Sequence, residues 1–124
     1  MILLLIALGG AVGSVARYLL GRAVQGSLGL EFPTGTFVVN VLGCLIIGLL
    51  ARFFVGAQSE LPLRATLMIG FCGGFTTFST FSLETLGLMQ GGEWGKAVLY
   101  AVLSCLVCVG ATALGYAVGK PLNP

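Results

Sequence analysis

Histidine is missing from this chain, and charge is scarce: six Lys and Arg and four Asp and Glu in 124 residues. Without histidine there is no imidazole to act as base, proton shuttle or metal ligand near neutral pH. The many Ser and Thr have no His or Lys base beside them, so nucleophilic catalysis lacks its activating partner. Charged residues make up only 8% of the chain, against about 25% in a soluble domain. Ten charges cannot cover a water-facing surface. Nothing suggests phosphate handling or nucleic-acid binding. A basic leader is absent too: no Lys or Arg precedes the first apolar run, and Arg17 follows it. A cleaved signal peptide would need that basic start. The reading is that the chain is not an enzyme.

Apolar sequence takes the place of charge, at 57% of residues. The uncharged runs are Met1–Ala16, Phe32–Ala51, Ala65–Leu83 and Ala97–Gly119. A spanning helix needs about 20 largely apolar residues. The last three runs meet that length, and the first continues past Arg17 through Tyr18, Leu19 and Leu20. The runs predict an all-α membrane protein, one domain over residues 1–124. Its four transmembrane helices fall at about 2–23, 33–54, 63–89 and 96–119. Gly- and Pro-bearing loops, Gly26–Pro33, Gly56–Pro62 and Gly91–Gly95, punctuate them. Tyr18 and Trp94 suit interfacial anchoring.

One segment is too polar for a plain anchor. Gly70-Phe-Cys-Gly-Gly-Phe-Thr-Thr-Phe-Ser-Thr-Phe-Ser-Leu-Glu84 carries hydroxyls at Thr76, Thr77, Ser79, Thr80 and Ser82, with phenylalanines at 75, 78 and 81. Lipid satisfies none of those hydroxyls, so they must face protein, water or an ion. The pair Gly73-Gly74 predicts a helix break here. Backbone freed at membrane depth is tolerated where it lines a cavity or holds an ion. Phe78 and Phe81 share a helical face. Core packing is the simple reading of that pair. The other is that their electropositive ring edges cradle a dehydrated anion.

Four other polar residues are costly in a membrane. Asn40 either makes an interhelical hydrogen bond or donates to an anion. Arg17 either snorkels from near its helix end or acts deep in the protein. Glu84 either caps or pairs, or sits at a mouth. Tyr100 is either a belt residue or part of a lining. The cysteines, Cys44, Cys72, Cys105 and Cys108, all lie in apolar runs. Cys105-x-x-Cys108 has metal-like spacing, but without further ligands it reads as two small packing residues.

Topology is undetermined by charge. With four helices, Arg52, Arg64 and Lys120 fall on one side, and Arg17, Arg22 and Lys96 on the other. The positive-inside rule does not decide this three-to-three tie. Either other factors settle the orientation, or copies insert both ways and pair antiparallel. Gly9-x-x-x-Gly13, Gly70-x-x-x-Gly74 and Ala111-x-x-x-Gly115-x-x-x-Gly119 mark faces where helices approach closely. Most should pack within the chain and some between chains.

Three ordered motifs then match a family. They are Gly9-Gly-x-x-Gly-x-x-x-Arg-Tyr18, Gly35-Thr-x-x-x-Asn-x-x-Gly43, and the stretch Gly70–Glu84 quoted above. Across its whole length the chain resembles the Fluc (CrcB) fluoride channels of bacteria. The resemblance implies a dual-topology antiparallel homodimer with two pores in the bacterial inner membrane. It implies passive fluoride export that relieves fluoride toxicity. It maps the fluoride contacts to Phe78 and Phe81 and the pore asparagine to Asn40. The hydroxyl track falls on Ser79, Thr80 and Ser82, with Tyr100 as a further lining residue. A structural, untransported Na⁺ is implied on the backbone carbonyls of Gly73 and Thr76. The rival reading is a small dual-topology, proton-coupled multidrug transporter. Such proteins need a membrane carboxylate in helix 1, and residues 1–16 contain none.

Overall fold

The computed structural model describes residues 1–28, 31–56 and 62–122. Among them there is no strand. Helix α1 is Ile2–Leu28 and α2 is Thr34–Phe53. The third span is segmented: α3 (Pro62–Arg64), a π-wound stretch (Ala65–Cys72), α4 (Gly73–Phe75) and α5 (Phe78–Gln90). Helix α6, Trp94–Val118, completes the fold. Four helical spans, with the third taken as Pro62–Gln90, are long and apolar enough to cross a membrane. All-helical construction follows from the solvent, since a bilayer offers no partner to open backbone groups.

Helix α1 runs to Leu28, five residues beyond the expected 23. The reason is a tertiary cap. Gln25 Oε1 accepts from the Gly35 backbone N–H (3.0 Å) and from Thr34 Oγ1 (3.2 Å), while Gln25 Nε2 donates to the Phe32 carbonyl (3.1 Å). The last turns of α1 thus satisfy an orphan backbone donor, the Gly35 N–H, at the start of α2. Most of the second loop, residues 57–61, lies outside the described residues, as do 29 and 30 in the first.

Packing is set by glycines. Helix α1 lies chiefly on the π stretch and α4, and α2 lies on α6. A Cβ on Gly13 would strike the Phe71 carbonyl, and one on Gly74 the Gly10 carbonyl. Between α2 and α6, a Cβ on Gly48 would strike the Thr112 carbonyl, and one on Gly115 the Leu45 carbonyl. The small-residue spacings therefore serve close helix contact within one chain.

Candidate functional site

The third span breaks at Thr76–Thr77, two residues after the expected Gly73-Gly74. Gly73 is helical (φ −63°, ψ −36°), whereas Thr76 (ψ 157°) and Thr77 (φ −149°, ψ 111°) are extended. Gly74 serves packing on α1, and Thr77 makes the break. Its hydroxyl accepts from the Thr80 backbone N–H (3.1 Å) and so caps α5.

Other helices hold the opened backbone. Asn40 on α2 pairs with both polar groups of Thr77: the Thr77 N–H donates to Asn40 Oδ1 (2.8 Å), and Asn40 Nδ2 donates to the Thr77 carbonyl (3.1 Å). Arg17 Nη1 donates to the Thr76 carbonyl (3.3 Å), and Ser14 Oγ to the Gly74 carbonyl (3.4 Å). Arg17 thus reaches from α1 to the opened backbone of the third span. Nδ2 of Asn40 has a second hydrogen, and no acceptor among the described residues is placed on it.

A cavity of about 410 Å³ lies against the break, bounded by α2, the π stretch, the start of α5 and α6. Asn40, Gly73, Thr76, Phe78 and Phe81 line it, so five of the expected site residues converge on one space. The Phe78 and Phe81 rings are tilted at 45° with centroids 5.3 Å apart. Phe78 is 75% exposed on the protomer, which leaves its ring at the open side of the cavity.

The hydroxyls divide differently. Ser79, Thr80 and Ser82 are exposed and off the cavity wall. Ser79 and Thr80 hydroxyls bond to Thr77 Oγ1 (3.3 and 3.0 Å), and Ser82 Oγ donates to the Phe78 carbonyl (2.9 Å). Tyr100 lies fully buried behind the wall, against Phe81 (5.1 Å) and Phe32 (5.2 Å). Its hydroxyl donates to Glu84 Oε2 (2.8 Å), while Thr36 Oγ1 donates to Glu84 Oε1 (2.7 Å). The Glu84 carboxylate is therefore held on both oxygens, and it also lines a second cavity of about 350 Å³ with Glu31 and Glu93.

Ser104 escaped the sequence reading. The residue lines the main cavity, and Ser104 Oγ is buried with no hydrogen-bond partner among the described residues. A buried hydroxyl without a partner is rare, because it forfeits its hydration for nothing. It lies one helical turn beyond Tyr100 on α6, which is the spacing that could have revealed it. Asn40, Ser104, Phe78 and Phe81 thus share one cavity wall.

A hard cation would find different groups. Gly73 and Thr76 line the same cavity, and no cage of three or more acidic, Cys or His ligands exists among the described residues. Carbonyl oxygens have two lone pairs, so the Arg17 bond leaves Thr76 one more to give. One chain thus supplies two oxygens, short of the six or more that hard cations such as Ca²⁺ gather. Two copies would bring four such carbonyls, still short of six.

Comparison with known proteins decides the family. The family described as "CrcB-like protein, Camphor Resistance (CrcB)" matches residues 4–116. The chain belongs to it. A "Fluoride-specific ion channel FluC" of Thermus thermophilus is 51% identical over 119 residues, covering 96% of this chain and 95% of that protein. The protein of the same name from Magnetococcus marinus is 51% identical over 117 residues, 93% and 94% of the two chains. That from Opitutus terrae is 46% identical over 127 residues, 97% and 93%. With its four spans, this CrcB-family chain is a multi-pass bacterial membrane protein.

Proposed function

We propose that this chain is a fluoride-specific channel that lets fluoride leave the cytoplasm passively and so limits its toxicity. One observation carries the reading beyond family resemblance. At the break, the Phe78–Phe81 pair, Asn40 and Ser104 line one cavity, and the Ser104 hydroxyl has no hydrogen-bond partner among the described residues. Ring edges and N–H or O–H donors suit a small anion that has shed its water. Hydrogen fluoride enters from acid surroundings and dissociates inside, and the trapped anion needs such a route out. A proton-coupled transporter would want a free carboxylate, whereas Glu84 is bonded through both oxygens.

The working unit in this reading is an antiparallel homodimer. The charge tie supports it, and so does a site left open beside an exposed Phe78. A Na⁺ between the copies, on Gly73 and Thr76 carbonyls, would join their breaks and favour anions nearby, because charge is little screened in a low-dielectric interior. The test is efflux from liposomes holding the purified protein. Fluoride should leave and chloride should stay, with no dependence on a proton gradient. Equal chloride efflux, or strict proton coupling, overturns the channel reading. Full fluoride flux after exhaustive Na⁺ removal overturns the cation.

A further inference from the structure

The four cysteines, drawn from three of the four spans, all line the cavity beside the break. Two of them lie on facing turns of neighbouring helices. Gly48 of α2 seats against the Thr112–Tyr116 turn of α6. One turn earlier on α2 is Cys44, and the preceding turn of α6 begins at Cys108. Cys44 and Cys108 therefore sit on facing turns of the two helices, and both line the same cavity. This pair differs from the Cys105-x-x-Cys108 spacing along α6: Cys105 is exposed, whereas Cys44 and Cys108 are both half-buried.

Two facing thiols with no third ligand define a narrow class of metal. Structural zinc takes four ligands in a tetrahedron, and no group of three or more His, Cys, Asp or Glu comes together among the described residues. Thiolates favour soft cations, and d¹⁰ monovalent ions are content with two sulfurs in line. We propose that Cys44 and Cys108 form a two-coordinate site for a soft monovalent cation of the copper(I) or silver(I) class. Binding releases both thiol protons to water: M⁺ + 2 RSH → [M(SR)₂]⁻ + 2 H⁺. Two neutral thiols and one cation thereby become a bridge with one negative charge, fixed in the cavity wall. That charge opposes an anion in a low-dielectric passage. Inhibition of fluoride flux rests on the channel reading above; the metal site stands on the cysteines alone.

Silver nitrate in chloride-free buffer is the probe, added to the purified full-length protein. The protein should take up about one silver ion per protomer, and X-ray absorption should find two sulfur neighbours. Cys44→Ser and Cys108→Ser should each lose that ion, while Cys72→Ser and Cys105→Ser keep it. Prior alkylation of the parent protein gives the same loss without a folding question. In liposomes, silver should cut fluoride efflux by roughly tenfold or more, since a fixed charge acts strongly at short range. A thiol chelator should restore it. Retention of the two-sulfur signature in Cys44→Ser, or its loss in Cys105→Ser, overturns the assigned pair. A two-sulfur site in the parent with unaltered fluoride efflux overturns the inhibition. A parent that passes no fluoride with or without silver strikes the channel reading, while the absorption result still judges the metal site.

Discussion

Exchange of both Phe78 and Phe81 for isoleucine keeps apolar bulk and removes the ring edges. Volume-conserving apolar swaps cost little, typically below about 1.5 kcal/mol, so the protein should still purify in its native assembly. Fluoride efflux should vanish. Normal efflux from the double variant would sink the aromatic contact. Ser104 allows a sharper separation of function from stability. Its hydroxyl is buried and unpartnered, so Ser104→Ala removes a desolvated group whose burial costs roughly 1–3 kcal/mol. The variant should melt no lower than the parent and pass fluoride several times more slowly. A lower melting point with unchanged flux would make Ser104 a structural residue. Residues differ in how well sequence reveals them. Phe78 and Asn40 stand out because lipid has no use for rings at that spacing or for an amide. Ser104 does not stand out, because a serine in a helix ordinarily bonds its own backbone. Only the packed structure shows that this one does not.

At the scale of elements, the spans could be read from apolar length, because the bilayer imposes it. The break was legible in existence and misplaced in position. Gly73-Gly74 looks like a breaker in isolation, yet Gly74 is required where α1 passes, and Gly73 is helical. The real opening at Thr77 depends on Asn40, 37 residues away. Local pattern cannot show such a partner, just as it could not show Gln25 prolonging α1 to cap α2. The two glycines should therefore respond differently. A side chain on Gly74 meets the Gly10 backbone, which has no room to yield. Gly74→Ala should destabilise the protomer by an amount typical of overpacking, about 1–3 kcal/mol, read as a lower melting point. Around Gly73 a Cβ meets nothing within 4 Å. Gly73→Val should leave the protomer folded and weaken its pairing with a second copy, seen as a shift from dimer to monomer in detergent. Equal damage to the protomer from both changes would show that Gly73 also packs within the chain.

For the whole molecule the open question is orientation. Three basic residues on each side leave insertion undirected, and the cavity beside Phe78 is open on the single chain. The proposed antiparallel pairing of oppositely inserted copies would answer both facts. In that proposal two Thr76–Thr77 breaks would meet, and two copies would supply four carbonyls where one supplies two. The charge tie makes this testable with small changes. Two lysines added near Ser59, in the second loop and outside the described residues, raise that side to five basic residues against three. Short-loop charge sets orientation, so nearly all copies should then insert one way. Partners of opposite orientation become scarce, and fluoride efflux from cells carrying this variant alone should collapse. A second variant with its added charge on the opposite side should be equally inactive alone. Expressed together, the two should recover parental efflux, because each provides the orientation that the other lacks. Individual protomers remain folded in all three cases, so loss followed by rescue reports pairing and nothing else. Parental efflux from either biased variant alone would mean that same-facing copies, or single chains, suffice.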